Sequence, residues 1–439
     1  MRNAESGHSA LVIGGGLAGL SAAVALAQRG VRVTVLEARP RLGGRASSFA
    51  DPATGQLVDA CQHATMGCCI RFENFCKTVG ISHLLAPQKS LYFQTPDGRV
   101  SPFKADPWPA PFHLGRALLG AHYLTSIEKL RIAWGLLSLV CERSEADPPL
   151  QEWLLNHRQT QRTIDRFWGV VLVSALNETV DRVGLKYARK VFVDGFLKDR
   201  DGFVVHVPTV PLGHFYGPEL RAWLDRNEVV VIENSAVKSL VLGPAGISEV
   251  VLRDGSTRTA DDYVLAVPFE RVLDVLPEEL RTRAEFAGIG QLTPSPIASV
   301  HFWFDRPVMA RPHAVLVDCL GQWVFNRGEV APGEHYVQVV VSAARSLQGL
   351  GREEVQRRIQ EELARLYPAV AVAKLLRAKV VIEHSATFSA IPGVDRFRPN
   401  ATTSIPNLFL AGDWTATGWP ATMEGAVRSG EAAAEALSE

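Results

Sequence analysis

The chain has 439 residues, 47% hydrophobic and 21% charged, with 46 basic and 46 acidic side chains. This is the composition of a globular protein long enough for two or three domains with substantial cores. The zero formal net charge gives no bulk electrostatic reason to bind nucleic acid, and no uncharged apolar run reaches the roughly 18 residues of a membrane-spanning helix.

The opening "MRNAESGHSALVIGGGLAGL" does not read as a secretory signal, because its apolar stretch is short and broken by glycines. Ala10 to Ile13 is an aliphatic strand. Gly14, Gly16 and Gly19 form G-x-G-x-x-G, and an Ala/Leu-rich helix runs from about Ala18 to Gln28. Val31 to Leu36 is a second strand, closed by Glu37, 21 residues after Gly16. Gly14 permits a tight turn, Gly16 lets backbone approach a pyrophosphate, and Gly19 lets helix and strand pack closely. The helix N-terminus offers free N–H groups and partial positive charge to phosphates. Glu37 can accept from a ribose 2′-hydroxyl and would repel a 2′-phosphate. Strand, turn, helix and acid at this spacing predict dinucleotide binding, with Gly15, Ala18 and Ala38 lining the same turn. "RLGGR" follows. Its Gly43 and Gly44 allow a second close backbone approach, and Arg45 adds a charge-assisted donor. Nicotinamide-only domains do not need this addition, so it points to FAD.

The six cysteines contain no C-x-x-C pair and form no disulfide framework, which suggests a reducing, cytoplasmic compartment. Cys61, Cys68, Cys69 and Cys76 read either as small buried apolar residues or as a redox or metal cluster; no metal site is assigned. Residues 105 to 200 read as helical. Phe112, Leu114, Ala117, Leu118, Ala121 and Leu124 form a stripe with two open readings, a helix packed on its neighbour or a surface dipping into the membrane interface. Thr125 to Glu128 is a capping box, and Ile127, Leu130, Trp134 and Leu137 recur at helical spacing, as do Ile164, Phe167, Trp168, Val171 and Leu172. "VVVIENSAVKSLVLG" gives strand, turn, strand, and "GISEVVLRDGSTRTA" a hairpin turning at Asp254-Gly255. Residues 261–268 are another strand. "IASVHFWF", "HAVLVD", "QWVFN" and "YVQVVVS" read as a second sheet, and Glu353 to Tyr367 as an amphipathic helix.

The chain closes with "NLFLAGDWTATGWPATMEGAVRSG". A carboxylate, Asp413, sits at the tip of an apolar strand with Gly412 clearing space beside it. If the glycine turn holds the pyrophosphate, Asp413 can accept from a ribityl hydroxyl, and the helix beginning near Thr422 can aim its N–H groups at the flavin pyrimidine edge.

These two ends resemble the FAD-dependent amine oxidase and phytoene desaturase superfamily. "DACQHATMGCC", "IDRFWGVVLVSALNE", "VHVPTVPLGHFYG" and "EHSATFSAIPGVDRFRP" are most similar to the squalene-associated desaturases, or hydroxysqualene dehydroxylases. Where that subgroup more often has Asp-Asn-Gly-Gln-His, this chain has Asp59-Ala60-Cys61-Gln62-His63. The resemblance implies an α/β fold, with a Rossmann-like FAD domain of residues 1–85, 206–275 and 385–439. Residues 86–205 and 276–384 would then form an α+β substrate domain. It also implies that Val237 meets adenine through its backbone, that Gln62 and His63 run past the isoalloxazine, and that Met423 lies beside the ring.

The implied reaction converts hydroxysqualene to squalene with a hydride from reduced flavin, which requires an external reductant. His63 is the first candidate for the acid, Asp59 for its orienter, and Glu424 for a further site carboxylate. Trp168, Asn177, Tyr216, Trp303 and Trp419 read either as tunnel or cage residues or as core. The implied substrate is a hydrophobic C30 isoprenoid, with peripheral membrane contact open and no nucleic-acid partner. A carotenoid-type desaturase, an amine or porphyrinogen oxidase, and a redox-inactive prenyl-binding protein remain alternatives on the same scaffold.

Overall fold

A computed structural model describes residues 7–52 and 54–438. Its first layer is a five-stranded parallel sheet whose strands come from distant stretches of chain. Ser9–Ile13 lies centrally, with Arg32–Leu36 and then Val230–Ile232 on one side and Asp262–Leu265 and then Leu408–Leu410 on the other. Its strands are short and nearly all apolar, as expected where helices cover both faces. The helix after the glycine turn, Leu17–Ala27, packs along one face against the C-terminal helix, Met423–Ser438. Small residues let these two helices approach: a Cβ on Gly430 would fall 2.3 Å from the Ala18 carbonyl oxygen, and Ser21 Oγ donates to the Val427 carbonyl at 2.9 Å.

The second layer is a seven-stranded, mostly antiparallel sheet. It includes Pro294–Phe304, His313–Leu316, Trp323–Ala331 and Glu334–Val341, flanked by Leu375–Phe388 at one edge and Ser90–Gln94 with Val100–Lys104 at the other. The edge strand Leu375–Phe388 runs through position 385, inside what the sequence divides as a domain border. The Asp254-Gly255 hairpin turn is present, with Gly255 at φ +87°. The amphipathic helix spans Arg352–Leu366 and buries Val355, Ile359, Leu363 and Leu366.

Helices between residues 115 and 197 form a cap. Two of its turns, Ile164–Trp168 and Val193–Leu197, are π-helical, a local widening often found at functional sites. The 112–124 stripe packs inward: Leu114, Ala117, Ala121 and Leu124 are buried and Phe112 is exposed. The helix Ser126–Cys141 has the Thr125/Glu128 capping box, yet it buries Ile132, Gly135 and Leu139 and turns Ile127, Leu130, Trp134 and Leu137 outward.

Candidate active site

Gly14 has φ +117°, and a Cβ there would lie 2.6 Å from the Ala266 carbonyl oxygen, so only glycine fits this turn. The second glycine pair folds back onto it. Gly43 N–H donates to the Gly15 carbonyl at 2.9 Å, and Gly16 and Gly43 form an isolated bridge. Two backbone turns are thereby stacked beside the start of the Leu17–Ala27 helix. That helix has no capping side chain at Gly16 and no acid in its first turn, and the space outside Gly16 is bounded only by Gly44 Cα at 3.8 Å. An uncapped helix N-terminus facing a glycine-lined hollow fits a pyrophosphate.

Glu37 is buried, accepting from Gly15 N–H at 2.7 Å and Arg39 N–H at 2.8 Å. Ser235 N–H donates to the Glu37 carbonyl at 2.8 Å, and Val237, two residues on, begins the strand Val237–Gly243. Ala38 follows Glu37 at the exposed lip.

The other end of the chain meets this region through Arg45. Arg45 Nη2 donates to Asp413 Oδ1 at 2.6 Å and its Nη1 to the Ala386 carbonyl at 2.9 Å. Burial disfavours the Arg45 charge, but the Asp413 carboxylate more than offsets this and holds it protonated above its ordinary range. Gly412 N–H donates to Ser429 Oγ at 2.8 Å, tying the strand tip to the C-terminal helix. Thr422 Oγ1 accepts from Gly425 N–H at 3.1 Å at the start of that helix, and Met423 Sδ accepts from Tyr216 Oη at 3.8 Å.

Gln62 and His63 lie on the adjoining segment. Gln62 Nε2 donates to the His63 carbonyl at 2.8 Å, and His63 Nδ1 pairs with the Cys61 carbonyl at 3.0 Å. Burial pulls the His63 pKa below its ordinary value; the Cys61 carbonyl and the Asp59 charge oppose this in part.

Two expectations change, and one open alternative closes for most of its residues. Asp59 does not orient His63: its Oδ1 accepts from Ser48 Oγ at 2.6 Å and Leu212 N–H at 2.7 Å, so it fastens a hairpin to the distant helix Leu212–Phe215 while the Cys61 backbone holds the imidazole. Glu424 is wholly buried and caps a different helix. It accepts from Phe72 N–H at 2.8 Å and Arg71 N–H at 3.3 Å, and pairs with Arg428 at 2.7 Å, so it serves as a helix cap and ion-pair partner. Of the five tunnel or cage candidates, Trp168, Tyr216 and Trp303 are core side chains, and Asn177 ties Ser295, Thr387 and Ala343 together. Trp419 remains partly open, with Lys190 Nζ 4.3 Å and the Arg428 guanidinium 4.8 Å from its ring centroid.

Two site residues escaped the sequence reading. Arg327 Nη1 donates to Gln62 Oε1 at 3.1 Å and the Pro208 carbonyl at 3.2 Å. Arg398 is buried and donates to the Asp413 carbonyl at 3.0 Å, to the Thr415 carbonyl and to Tyr187 Oη. Arg398 lies within the "EHSATFSAIPGVDRFRP" segment, but nothing local says which carbonyls it reaches. Among the described residues no group of three or more His, Cys, Asp or Glu side chains could hold a metal ion.

A family model for flavin-containing amine oxidoreductases matches residues 17–438. The chain belongs to the flavin-containing amine oxidoreductase family. The hydroxysqualene dehydroxylase of Sinorhizobium fredii is 31% identical, with 98% of each chain covered. That of Zymomonas mobilis is 27% identical, with 97% of each covered. A 15-cis-phytoene desaturase of Narcissus pseudonarcissus is 28% identical over 99% of this chain and 80% of its own. Among solved structures, an oxidoreductase from Methanosarcina mazei superposes with TM-score 0.75 at 18% identity, covering 96% of this chain and 98% of its own. A putrescine oxidase superposes with TM-score 0.73 at 15% identity, covering 98% and 100%. The protein is therefore an FAD-dependent oxidoreductase of this family. The uncapped N–H groups at the glycine turn, the buried Glu37 carboxylate and the Asp413–Arg45 pair are groups whose chemistry suits FAD.

Proposed function

We propose that this enzyme reductively dehydroxylates a C30 isoprenoid alcohol, replacing the allylic hydroxyl of hydroxysqualene with hydrogen to give squalene and water. The reading is carried by the end-to-end similarity to hydroxysqualene dehydroxylases, with 98% of each chain covered for the first. Residues 1–85, 206–275 and 385–439 would hold FAD, and 86–205 with 276–384 the substrate.

When bound in its reduced form, FAD supplies the hydride that takes the place of the departing hydroxyl. The chain's own task is to deliver a proton to that hydroxyl and to exclude water. His63, with Nδ1 fixed on the Cys61 carbonyl, presents Nε2 for the proton. Because burial keeps the imidazole neutral, turnover should rise as the pH falls into the range where His63 protonates. An aromatic column supplies an apolar wall. Phe167 stacks on Phe192 at 5.8 Å between centroids, and Phe192 meets Phe196 at 6.0 Å. Phe103, which meets Phe196, and Phe167 pack against the same apolar cluster as Met66, three residues beyond His63. The stoichiometry requires an external electron donor. Six unpaired thiols support action in a reducing compartment, taken here as the cytoplasm.

Trp419 disfavours an amine oxidase. An ammonium substrate would find the ring already taken by two cations, Lys190 and Arg428, each held in place by its own carboxylate, Asp194 and Glu424.

Anaerobic incubation of the FAD-loaded, chemically reduced enzyme with hydroxysqualene, followed by product analysis, tests the reading. Squalene is expected. Turnover of phytoene-like polyenes by the oxidised enzyme, without squalene from the reduced one, would assign a desaturase instead. Peroxide release with simple amines would assign an amine oxidase.

A further inference from the structure

The outward face of the helix Ser126–Cys141 carries no charge. Between the exposed ends Ser126 and Cys141, its exposed positions are Ile127, Leu130, Ala133, Trp134, Leu137 and Val140, a full helical stripe. Ile127 is 59% exposed, Leu130 72%, Trp134 50% and Leu137 57%. Single exposed leucines are ordinary, but a continuous row of large ones marks an interaction surface. The row does not end with the helix: Lys129 Nζ donates to the Leu119 carbonyl at 2.6 Å, holding the 69%-exposed Leu119 beside it.

The borders of this face are basic. Lys129 and Arg131 lie on the helix flanks, and the Arg158 guanidinium sits 5.8 Å from the Trp134 ring centroid. The two carboxylates at the ends of the helix are already engaged. Glu128 is buried, caps its own helix and pairs with Arg162 at 2.7 Å; Glu142 accepts from Ser144 N–H and Trp153 Nε1. An apolar stripe with a tryptophan at its centre and cations along its edge is complementary to a bilayer with anionic headgroups. The helix has 16 residues, and no helix among the described residues is long and apolar enough to cross a membrane, so contact would be in the plane of the interface.

We infer that the Ser126–Cys141 helix docks the enzyme flat on an anionic lipid surface through Ile127, Leu130, Trp134 and Leu137. This deepens the isoprenoid reading, since an apolar C30 substrate partitions into lipid, but its test needs no substrate. The inner face of the same helix packs on the π-helical turn through Gly135, where a Cβ would lie 2.7 Å from Trp168. Trp168 in turn contacts the aromatic column, its ring centroid 5.4 Å from Phe167. The lipid-facing surface and the apolar wall therefore lie on opposite sides of one layer of helix.

The experiment is co-sedimentation of the FAD-loaded full chain with vesicles of phosphatidylcholine alone or with about 30% phosphatidylglycerol. Binding to the anionic vesicles is expected, several-fold weaker binding to the neutral ones, and a loss of about tenfold or more in the Leu130→Glu/Leu137→Glu double variant. Both side chains are exposed, so the variant should keep its FAD and its melting temperature, which serve as folding controls. A milder Leu130→Gln/Leu137→Gln variant covers the case in which the first does not fold. Absence of vesicle binding, or binding that neither variant weakens, would overturn the inference. So would a lipid-free dimer, seen by sedimentation equilibrium, that the double variants split, since the face would then join two copies. Vesicle binding without squalene production would overturn the reaction reading alone.

Discussion

Replacing Asp413 with alanine separates its two jobs. In the free protein its Oδ1 accepts from Arg45 Nη2 at 2.6 Å, with side-chain exposures of 7% and 28%. Breaking a fully buried ion pair costs about 3–5 kcal/mol. Arg45 keeps its bond to the Ala386 carbonyl and part of it reaches water, so the cost to folding should be smaller, about 1.5–3 kcal/mol. In the loaded enzyme the same carboxylate would accept from a ribityl hydroxyl. Losing that charged acceptor costs about 1.5–3 kcal/mol, or about 10- to 150-fold in Kd. The assay is titration of FAD into deflavinated protein by calorimetry, alongside thermal unfolding of the same apoprotein. Asp413→Asn keeps shape and an acceptor and should lie between wild type and Asp413→Ala on both axes. If Asp413→Ala lowers the melting temperature while the FAD Kd stays within about twofold of wild type, Asp413 only pins Arg45 and its cofactor role is refuted.

Glu424→Ala strands two helix N–H groups and Arg428 around a wholly buried site; a loss of about 3–5 kcal/mol in urea unfolding is expected, with Glu424→Gln losing clearly less. His301 and His313 are buried with pKa values pulled down by burial to about 3 and about 4. The unfolded chain therefore takes protons that the fold refuses, and their stabilisation, intact above about pH 6.5, falls away as the pH drops. Going from pH 7 to 5 should remove about 2 kcal/mol per histidine, and denaturant midpoints of His301→Gln and His313→Gln should each show a shallower acid limb than wild type. Arg327→Met should leave FAD content unchanged while lowering single-turnover rates about tenfold, because Gln62 loses its anchor beside His63; unchanged rates would confine Arg327 to packing.

The strand, glycine turn and helix that carry Gly14 and Glu37, and the apolar strand that leads to Asp413, were legible because a tight turn between a strand and a helix demands particular residues at particular spacings. Gly14 is needed for its backbone angle and Glu37 for its reach, and both demands are local. The Glu424 cap is different. Its partners Arg71 and Phe72 lie 353 and 352 residues away in the chain, and no short window encodes that pairing. The same holds for Arg327 and Gln62, 265 residues apart. The Ser126–Cys141 helix shows a further limit. Its period is correct in the sequence, but Ile127-Leu130-Trp134-Leu137 and Ile132-Gly135-Leu139 are both apolar stripes. Periodicity fixes that a helix forms and leaves its phase open; packing of Gly135 against Trp168 decides it.

Interleaving the parallel sheet carries an assembly cost in time. The strand that begins with Ser9 has a neighbour reached only at Asp262, and the edge beyond that arrives with Leu408. A growing or truncated polypeptide lacking residues 408–413 therefore lacks the outer strand of this sheet and the Asp413 partner of Arg45; under the proposed cofactor placement, firm capture of the prosthetic group would wait until almost all of these 439 residues have been made.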